Sequence, residues 1–189
     1  MTFRIGTLDF APAASHPGLL APPVAAALAS PDWQLAADAI CVAEIDPELA
    51  DTAAFCDRYG VDPAESANCV VVVGRRDGAV RYAACVVLAT TRADVNGVAR
   101  RVLDVRKASF AATDAAVELT AMEYGGITPV GLPAGWLILV DGAVAAMRPP
   151  TDRNVGLTFK SSVSKKIVAS NSWFLRIPID LLRDRKDDF

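Results

Sequence analysis

Two adjacent glycines, followed closely by a threonine and a proline, form the most distinctive chemical pattern of the chain. Gly125 and Gly126 follow a predicted helix, and Thr128 and Pro129 come after one intervening residue. Glycine lets a ligand approach the backbone closely, while proline stiffens a loop. Backbone N–H groups exposed in such a loop can bind a carbonyl oxygen that becomes negative during acyl transfer. The loop is therefore a candidate ester-binding site, and the alternative interpretation of Gly125 is an ordinary helix C-cap.

Side chains suited to metal binding or to nucleophilic catalysis are scarce. The chain has a single histidine, His16, and its cysteines lie 15, 13 and 16 residues apart with no Cys-x-x-Cys pair. Neither a zinc site of local spacing nor a Ser-His-Asp set follows from this pattern. We expect no metal and no cofactor, and we expect Cys41, Cys56, Cys69 and Cys85 to pack in the core as reduced thiols.

Composition indicates one globular domain. The chain has 189 residues, below the roughly 250 at which chains usually divide into several domains. Although 52% of the residues are hydrophobic, no uninterrupted apolar run approaches the ~20 residues of a membrane span, and the N-terminus lacks the pattern of a secretory signal. We therefore expect a cytoplasmic protein without a membrane partner. The net charge of −3 argues against binding nucleic acid by bulk electrostatics, so such a partner would be bound locally.

The composition changes near residue 151. Residues 151–189 carry a net charge of +3 against −6 for residues 1–150, and four of the five lysines lie in this tail. We predict that residues 1–150 form the domain that holds the site, and that residues 151–189 complete or flank it. A positive cluster in the tail either holds RNA phosphates or is simply solvated; it comprises Arg153, Lys160, Lys165 and Lys166.

Local signals predict the elements that position the glycine loop. Proline, N-cap and glycine signals predict four helices, with Asp46 and Thr113 as N-caps: Pro22 to Leu28, Asp46 to Tyr59, Asp94 to Leu103 and Thr113 to Met122.

The run Cys69-Val-Val-Val-Val73 is apolar on both faces, which predicts a central strand over residues 68–74. Asp77-Gly78 predicts a tight hairpin to an antiparallel partner that ends near Ala89. Further strands are expected over residues 39–45, 107–110 and 136–140, with a second hairpin at Asp141-Gly142. The order predicts an α+β fold, an α/β roll with a mixed, largely antiparallel sheet and packed helices.

Three segments resemble, in order, the YbaK family, which includes the deacylases associated with prolyl-tRNA synthetase. They are Lys107-Ala-Ser-Phe-Ala, Gly125-Gly-Ile-Thr-Pro-Val-Gly-Leu-Pro and Trp136-Leu-Ile-Leu-Val-Asp141. The resemblance extends over roughly residues 47–147, about half of the chain. It implies a YbaK-like fold and a metal-free hydrolase that clears tRNA carrying a wrong amino acid, such as cysteine or alanine.

In that family the Gly-x-x-x-Pro loop shapes the pocket for the aminoacyl ester at the tRNA 3′ end. The resemblance therefore implies substrate binding by Lys107, Ser109, Gly125, Thr128 and Pro129, and catalysis by Gly126, Asn68 and Asp141. Many members carry a lysine where Asn68 stands, and an amide can position a carbonyl or a ribose hydroxyl but brings no positive charge. Lys107 would bind a terminal phosphate or is a solvated lysine. Asp141 would be the acid that members keep beside the loop or is a turn residue before Gly142.

The resemblance names the 3′ end of an aminoacyl-tRNA as the partner, with an aminoacyl-tRNA synthetase as an optional second one, and it implies no DNA. It also implies that a hydroxyl of the terminal ribose assists hydrolysis, while the protein orients water and stabilises the oxyanion. Two alternatives stay open: a binding module of the same fold that grips a nucleotide or tRNA end without hydrolysis, and a domain that acts through protein contacts.

Overall fold

The structure, a computed structural model, describes residues 3–33, 40–46, 48–49, 51–146, 156–160 and 166–171. Its strands are β1 (Phe3–Ile5), β2 (Leu8–Pro12), β3 (Ile40–Glu44), β4 (Ala67–Arg76), β5 (Ala79–Leu88), β6 (Ala108–Phe110), β7 (Leu137–Val140), β8 (Gly156–Lys160) and β9 (Lys166–Asn171). Its α-helices are α1 (Pro22–Leu28), α2 (Thr52–Tyr59), α3 (Arg100–Val102), α4 (Thr113–Thr120) and α5 (Gly142–Ala146). A π-helical turn, Val95–Ala99, runs directly into α3.

The strands form two sheets, one ordered β1-β2-β3-β9-β8 and one ordered β6-β4-β5-β7. All pairings are antiparallel except that of β5 with β7, which is parallel. Short helices connect and cover the strands, so the predicted α+β class with a mixed, largely antiparallel sheet is confirmed.

The valine-rich strand β4 is central, as predicted. It pairs with β5 over its whole length and with β6 through Val72, Val73 and Gly74. Asp77 and Gly78, with φ of 52° and 82°, form the hairpin between β4 and β5, since a type I′ turn needs positive φ at both central residues. Beyond Val72, β6 leaves the edge of β4, and this is where a cavity opens.

Two of the predicted helix starts are wrong. Helix α2 begins at Thr52 with Asp51 as its N-cap, whose Oδ1 accepts a hydrogen bond from Ala54 N at 3.0 Å. Asp46 instead accepts from Glu48 N at 3.0 Å, a local turn at the end of β3. Helix α4 has Ala112 as N-cap, so Thr113 is its first residue. At α2 several residues with cap chemistry stand near the start, and the structure uses Asp51. At α4 the N-cap is Ala112, which makes no side-chain capping bond, so the cap chemistry of Thr113 did not mark the start.

One predicted helix end and one predicted hairpin are also wrong. Helix α4 ends at Thr120 rather than Met122, because Ala121 adopts a left-handed conformation with φ of 50°. No hairpin forms at Asp141-Gly142, since Asp141 Oδ1 accepts from Ala143 N at 2.8 Å and starts helix α5. A parallel pairing of β7 with β5 requires a crossover before β7, not a hairpin after it.

The core is built from several apolar clusters, and the cysteines belong to them. Cys41, Cys56 and Cys85 are buried and Cys69 is half-buried, so their predicted packing is confirmed; all four are free thiols. None of the helices among the described residues is long and apolar enough to cross a membrane.

Strands β8 and β9 come from the C-terminal segment, and β9 pairs with β3. The division of the chain at residue 151 stays a prediction. The side chains of the predicted positive cluster, from Arg153 to Lys166, lie outside the described part of the structure.

Candidate functional site

A cavity of about 390 Å³ opens where β6 leaves the edge of β4. Its walls come from the start of α2, the first half of β4, the end of β6, helix α4 and the turn that follows α4. The lining residues are Asp51, Thr52, Ala67, Asn68, Cys69, Val70, Val71, Phe110, Ala111, Thr113, Ala116, Val117, Tyr124, Gly125 and Ile127. The lining presents polar and apolar surface in comparable amounts, and its polar side chains determine which groups the cavity can orient.

Asn68 is the best-positioned polar side chain in the cavity. The hydroxyl of Thr52, in the first turn of α2, donates to Asn68 Oδ1 at 2.8 Å. This bond orients the Asn68 amide through its oxygen, so the two hydrogens on Nδ2 remain available as donors. Among the described residues, no group accepts a hydrogen bond from Nδ2. A fixed amide donor at a cavity wall can hold a carbonyl oxygen and stabilise negative charge that develops on it.

Among the described lining residues, Asp51 provides the only charged side chain. Its carboxylate caps α2 and is exposed at the edge of the cavity. A carboxylate in this place can pair with a cationic group of a ligand, such as an α-ammonium.

Gly125 lines the cavity as part of a tight turn after α4. Gly126 N donates to Glu123 O at 3.0 Å, and Gly125 between them has a φ of 76°. Positive φ at the third residue is the requirement of a type II turn, which favours glycine there. The turn brings the Gly125 backbone to the cavity wall, while the N–H of Gly126, predicted for an oxyanion, is engaged within the turn.

Thr128 and Pro129 form the inner side of the loop. Both are buried, and the Thr128 hydroxyl accepts a bond from Val130 N at 3.4 Å. The neighbouring Val130 and Ile127 pack against the cluster that contains Val24 of α1. Thr128, Pro129 and Gly126 are therefore not part of the cavity lining, and they hold the loop in place instead.

Ser109 lies in β6 and Lys107 directly precedes that strand, and neither residue lines the cavity. Both are exposed, and Ser109 pairs with Val73 while Lys107 precedes the Ala108–Gly74 pair. Lys107 is three residues before Phe110, which places it about 10 Å from the cavity along the strand. Among the described residues, none forms an ion pair with Lys107, so its charge is open to an anion outside the cavity.

Asp141 is not brought to the cavity lining. Its Oδ1 starts α5, and its Oδ2 accepts a bond from the Thr91 hydroxyl at 3.4 Å. The structure thus brings Asn68 and Gly125 together and leaves the other predicted site residues outside the lining.

The cavity also contains a cysteine, Cys69. Burial raises the pKa of its thiol, and the nearby Cys85 raises it further. The thiol therefore stays protonated near neutral pH, and a thiolate nucleophile is not available at this position. In the described part of the chain, no three His, Cys, Asp or Glu side chains converge as metal ligands.

Several lining residues were missed by sequence reasoning, most notably Asp51, Thr52, Phe110 and Tyr124. A signal existed for two of them, since Phe110 and Tyr124 stand in or beside the family-like segments. No local signal marks Thr52, because its importance comes from contact with Asn68, sixteen residues away.

Solved structures share this fold at low sequence identity. One, described as "a putative trans-editing enzyme for prolyl tRNA synthetase", aligns with a TM-score of 0.61 and 18% identity, over 82% of this chain and 88% of that one. A hypothetical protein of known crystal structure aligns with a TM-score of 0.55 and 20% identity, over 71% of this chain and 83% of the other. A scaffold protein from computational epitope grafting aligns with a TM-score of 0.61 and 17% identity, covering 82% and 88%.

Comparison with curated protein sequences gives no significant match. The model of the aminoacyl-tRNA editing domain, by contrast, matches residues 46–149, more than half of the chain. This range includes every lining residue of the cavity. By this match, together with the shared fold, the chain belongs to the aminoacyl-tRNA editing domain family.

Proposed function

We propose that the protein is an aminoacyl-tRNA deacylase, which hydrolyses the ester of mischarged tRNA in the cytosol with the 3′ end in the cavity. The observation that carries this proposal is that Asn68 and Gly125, 57 residues apart in the sequence, line one cavity in a chain of an editing family. Editing is needed because a synthetase pocket rejects a similar amino acid by only about 10- to 200-fold.

In the proposed reaction, water attacks the ester carbonyl and the carbonyl oxygen becomes negative. The Nδ2 group of Asn68, held by Thr52, donates to that oxygen. The ester C–O bond then breaks, and the ribose oxygen leaves and takes up one proton of the attacking water. The other proton passes to the solvent, and the amino acid departs as a carboxylate. A vicinal hydroxyl of the same ribose orients the water, since the described residues bring neither a histidine nor a thiolate to the cavity.

Outside the cavity, Lys107 is proposed to hold a phosphate of the tRNA end. Its distance of about 10 Å along the strand corresponds to the next nucleotides rather than to the ester itself. A synthetase that releases mischarged tRNA would be the natural partner of such an enzyme.

The direct test is deacylation of a panel of tRNAs, each charged with a wrong amino acid such as alanine or cysteine, with and without a chelator. We expect turnover of at least one member, unaffected by the chelator. Tight binding of the charged tRNA without turnover would instead support a non-catalytic module that binds the tRNA end.

Asp51 is proposed to pair with the α-ammonium of the amino acid. A lactyl ester replaces this ammonium with a hydroxyl, so wild type should prefer alanyl over lactyl ester. The variant Asp51→Asn keeps an N-cap residue of equal quality and should reduce that preference in kcat/KM by about two- to fivefold, the effect of an exposed ion pair.

The matched control for Asp51→Asn is Asp62→Asn. Asp62 also caps a helical turn, accepting from Ala64 N at 2.9 Å, but it does not line the cavity. An equal loss of preference in both variants would contradict the pairing.

Gly125→Ala tests the turn at the cavity. A side chain at a φ of 76° costs about 1–2 kcal/mol, so the melting temperature should fall by several degrees. Because the turn also forms the cavity wall, we expect kcat/KM to fall by about tenfold or more.

Gly78→Ala is the control, since Gly78 has a φ of 82° and nothing within 4 Å of an added Cβ. The Gly78→Ala variant should lose about as much stability as Gly125→Ala and should keep full activity. Activity retained by folded Gly125→Ala would contradict the placement of the ester beside this turn.

A further inference from the structure

The described residues include two strongly exposed aromatic side chains, and both line the cavity. Phe110 is 58% exposed and Tyr124 is 67% exposed. The large apolar side chains that are exposed elsewhere, Val80, Val98 and Leu119, are aliphatic and lie outside the lining. Exposed aromatic rings concentrated at one opening indicate a surface that a flat apolar group covers.

The two rings come from separate elements that the fold brings to one cavity. Phe110 ends β6, where its strand leaves β4, and Tyr124 stands in the turn that contains Gly125. Since both side chains are exposed and also line the cavity, they lie at its opening rather than at its floor. A group bound there would be next to the ester, at the opening of the cavity rather than inside it.

We propose that Phe110 and Tyr124 form a stacking platform for the terminal nucleobase of the tRNA, an inference that rests on the proposed function of the cavity. The base and the ester are attached to the same ribose, so an ester held at Asn68 leaves the base within one sugar of it. Bases stack on aromatic side chains, and every base has a π-face to offer.

The platform would contribute to the affinity for the tRNA end rather than to the choice among different tRNAs. Stacking tolerates any base, and all tRNAs end in the same CCA sequence, so the platform would accept every tRNA end equally. The selection of the amino acid then depends on the cavity, with its wall of small and aliphatic side chains such as Ala116, Val117 and Ile127.

The test compares two esters of one amino acid, the aminoacyl ester of adenosine and that of 1-O-methylribose, which lacks the base. We expect wild type to prefer the adenosine ester in kcat/KM. In a Phe110→Leu, Tyr124→Leu double variant, this preference should fall by about 5- to 100-fold, mainly through KM, because the ester chemistry is unchanged.

Matched variants separate stacking from general loss of apolar surface. Phe110→Trp and Tyr124→Phe keep a ring and should keep the preference. Leu119→Ala removes an apolar side chain that is 42% exposed and outside the lining, and it should have no effect. An unchanged preference in the folded double variant would overturn the platform.

A second measurement does not depend on turnover. The trinucleotide CCA should bind to wild type and bind about 5- to 100-fold more weakly to the double variant. If wild type hydrolyses no ester but binding follows this pattern, the proposed hydrolysis fails and the platform stands. If both esters are hydrolysed equally and CCA binds both proteins alike, the platform fails and the hydrolysis stands.

Discussion

Asn68→Asp should lower kcat for deacylation by about 10²- to 10³-fold, which is the usual loss when one donor to a developing oxyanion is removed. Aspartate has the same shape, and its carboxylate can still accept the hydroxyl of Thr52. The change removes only the Nδ2 donors and adds a negative charge where the carbonyl oxygen becomes negative. The measurement is single-turnover hydrolysis of mischarged tRNA.

Two further variants make this result specific. Asn96→Asp changes an exposed asparagine that does not line the cavity, and it should leave kcat unchanged. Thr52→Val keeps Asn68 but removes the bond that orients it, so it should lower kcat by less than Asn68→Asp, with little change in KM. Full activity in folded Asn68→Asp would remove Asn68 from the reaction.

Gly131→Ala should destabilise the protein by about 2–5 kcal/mol, the sum of a backbone-strain cost and an overpacking cost. Gly131 has a φ of 77°, which costs an alanine about 1–2 kcal/mol. In addition, the new Cβ would lie 2.4 Å from Pro23 O and 2.6 Å from Pro23 C, and overpacking of this kind costs about 1–3 kcal/mol. The clashing atoms are backbone at the start of α1, so they cannot turn away as a flexible side chain would.

Gly135→Ala is the matched control in the same loop. Gly135 has a φ of 84° but nothing within 4 Å of an added Cβ, so it reports the backbone strain alone. Urea unfolding of both variants gives the difference, which we expect to be about 1–3 kcal/mol. Equal destabilisation would show that the loop does not press against α1 as the structure has it.

The Gly131→Ala substitution should also disturb the cavity. The loop after α4 packs on α1 through Val130 and Ile127, and Ile127 is itself a lining residue. Displacing the loop from α1 would therefore move one wall of the cavity, so activity should fall before the protein unfolds.

The sequence alone determined the strands and the turn of the central hairpin. The run of valines after Cys69 forms the strand β4, in which Val71 and Val72 are buried and Val70 and Val73 half-buried. Asp77-Gly78 has the chemistry of a type I′ turn whatever surrounds it. Helix α1, with prolines in its first turn, was predicted with the correct bounds for the same reason. These features depend on residues within a few positions of each other.

The sequence also indicated the family, because the glycine loop and the segments around it follow one another in a characteristic order. The same pattern did not reveal how each loop residue is used. Gly125 faces the cavity, whereas the adjacent Gly126 closes a turn, and Thr128 is buried. The difference depends on which way the loop faces when it packs on α1.

Only the tertiary structure decided which side chains meet at the site. Asp51 and Asp46 carry the same cap chemistry, and the path from β3 to α2 selects Asp51 and brings it to the cavity. Asp141 begins a helix instead of reaching the cavity. The Thr52–Asn68 bond joins segments that are distant in the chain, and the two exposed rings reach one cavity from different elements. The free energy that brings these segments together comes from burial of the core rather than from any local preference.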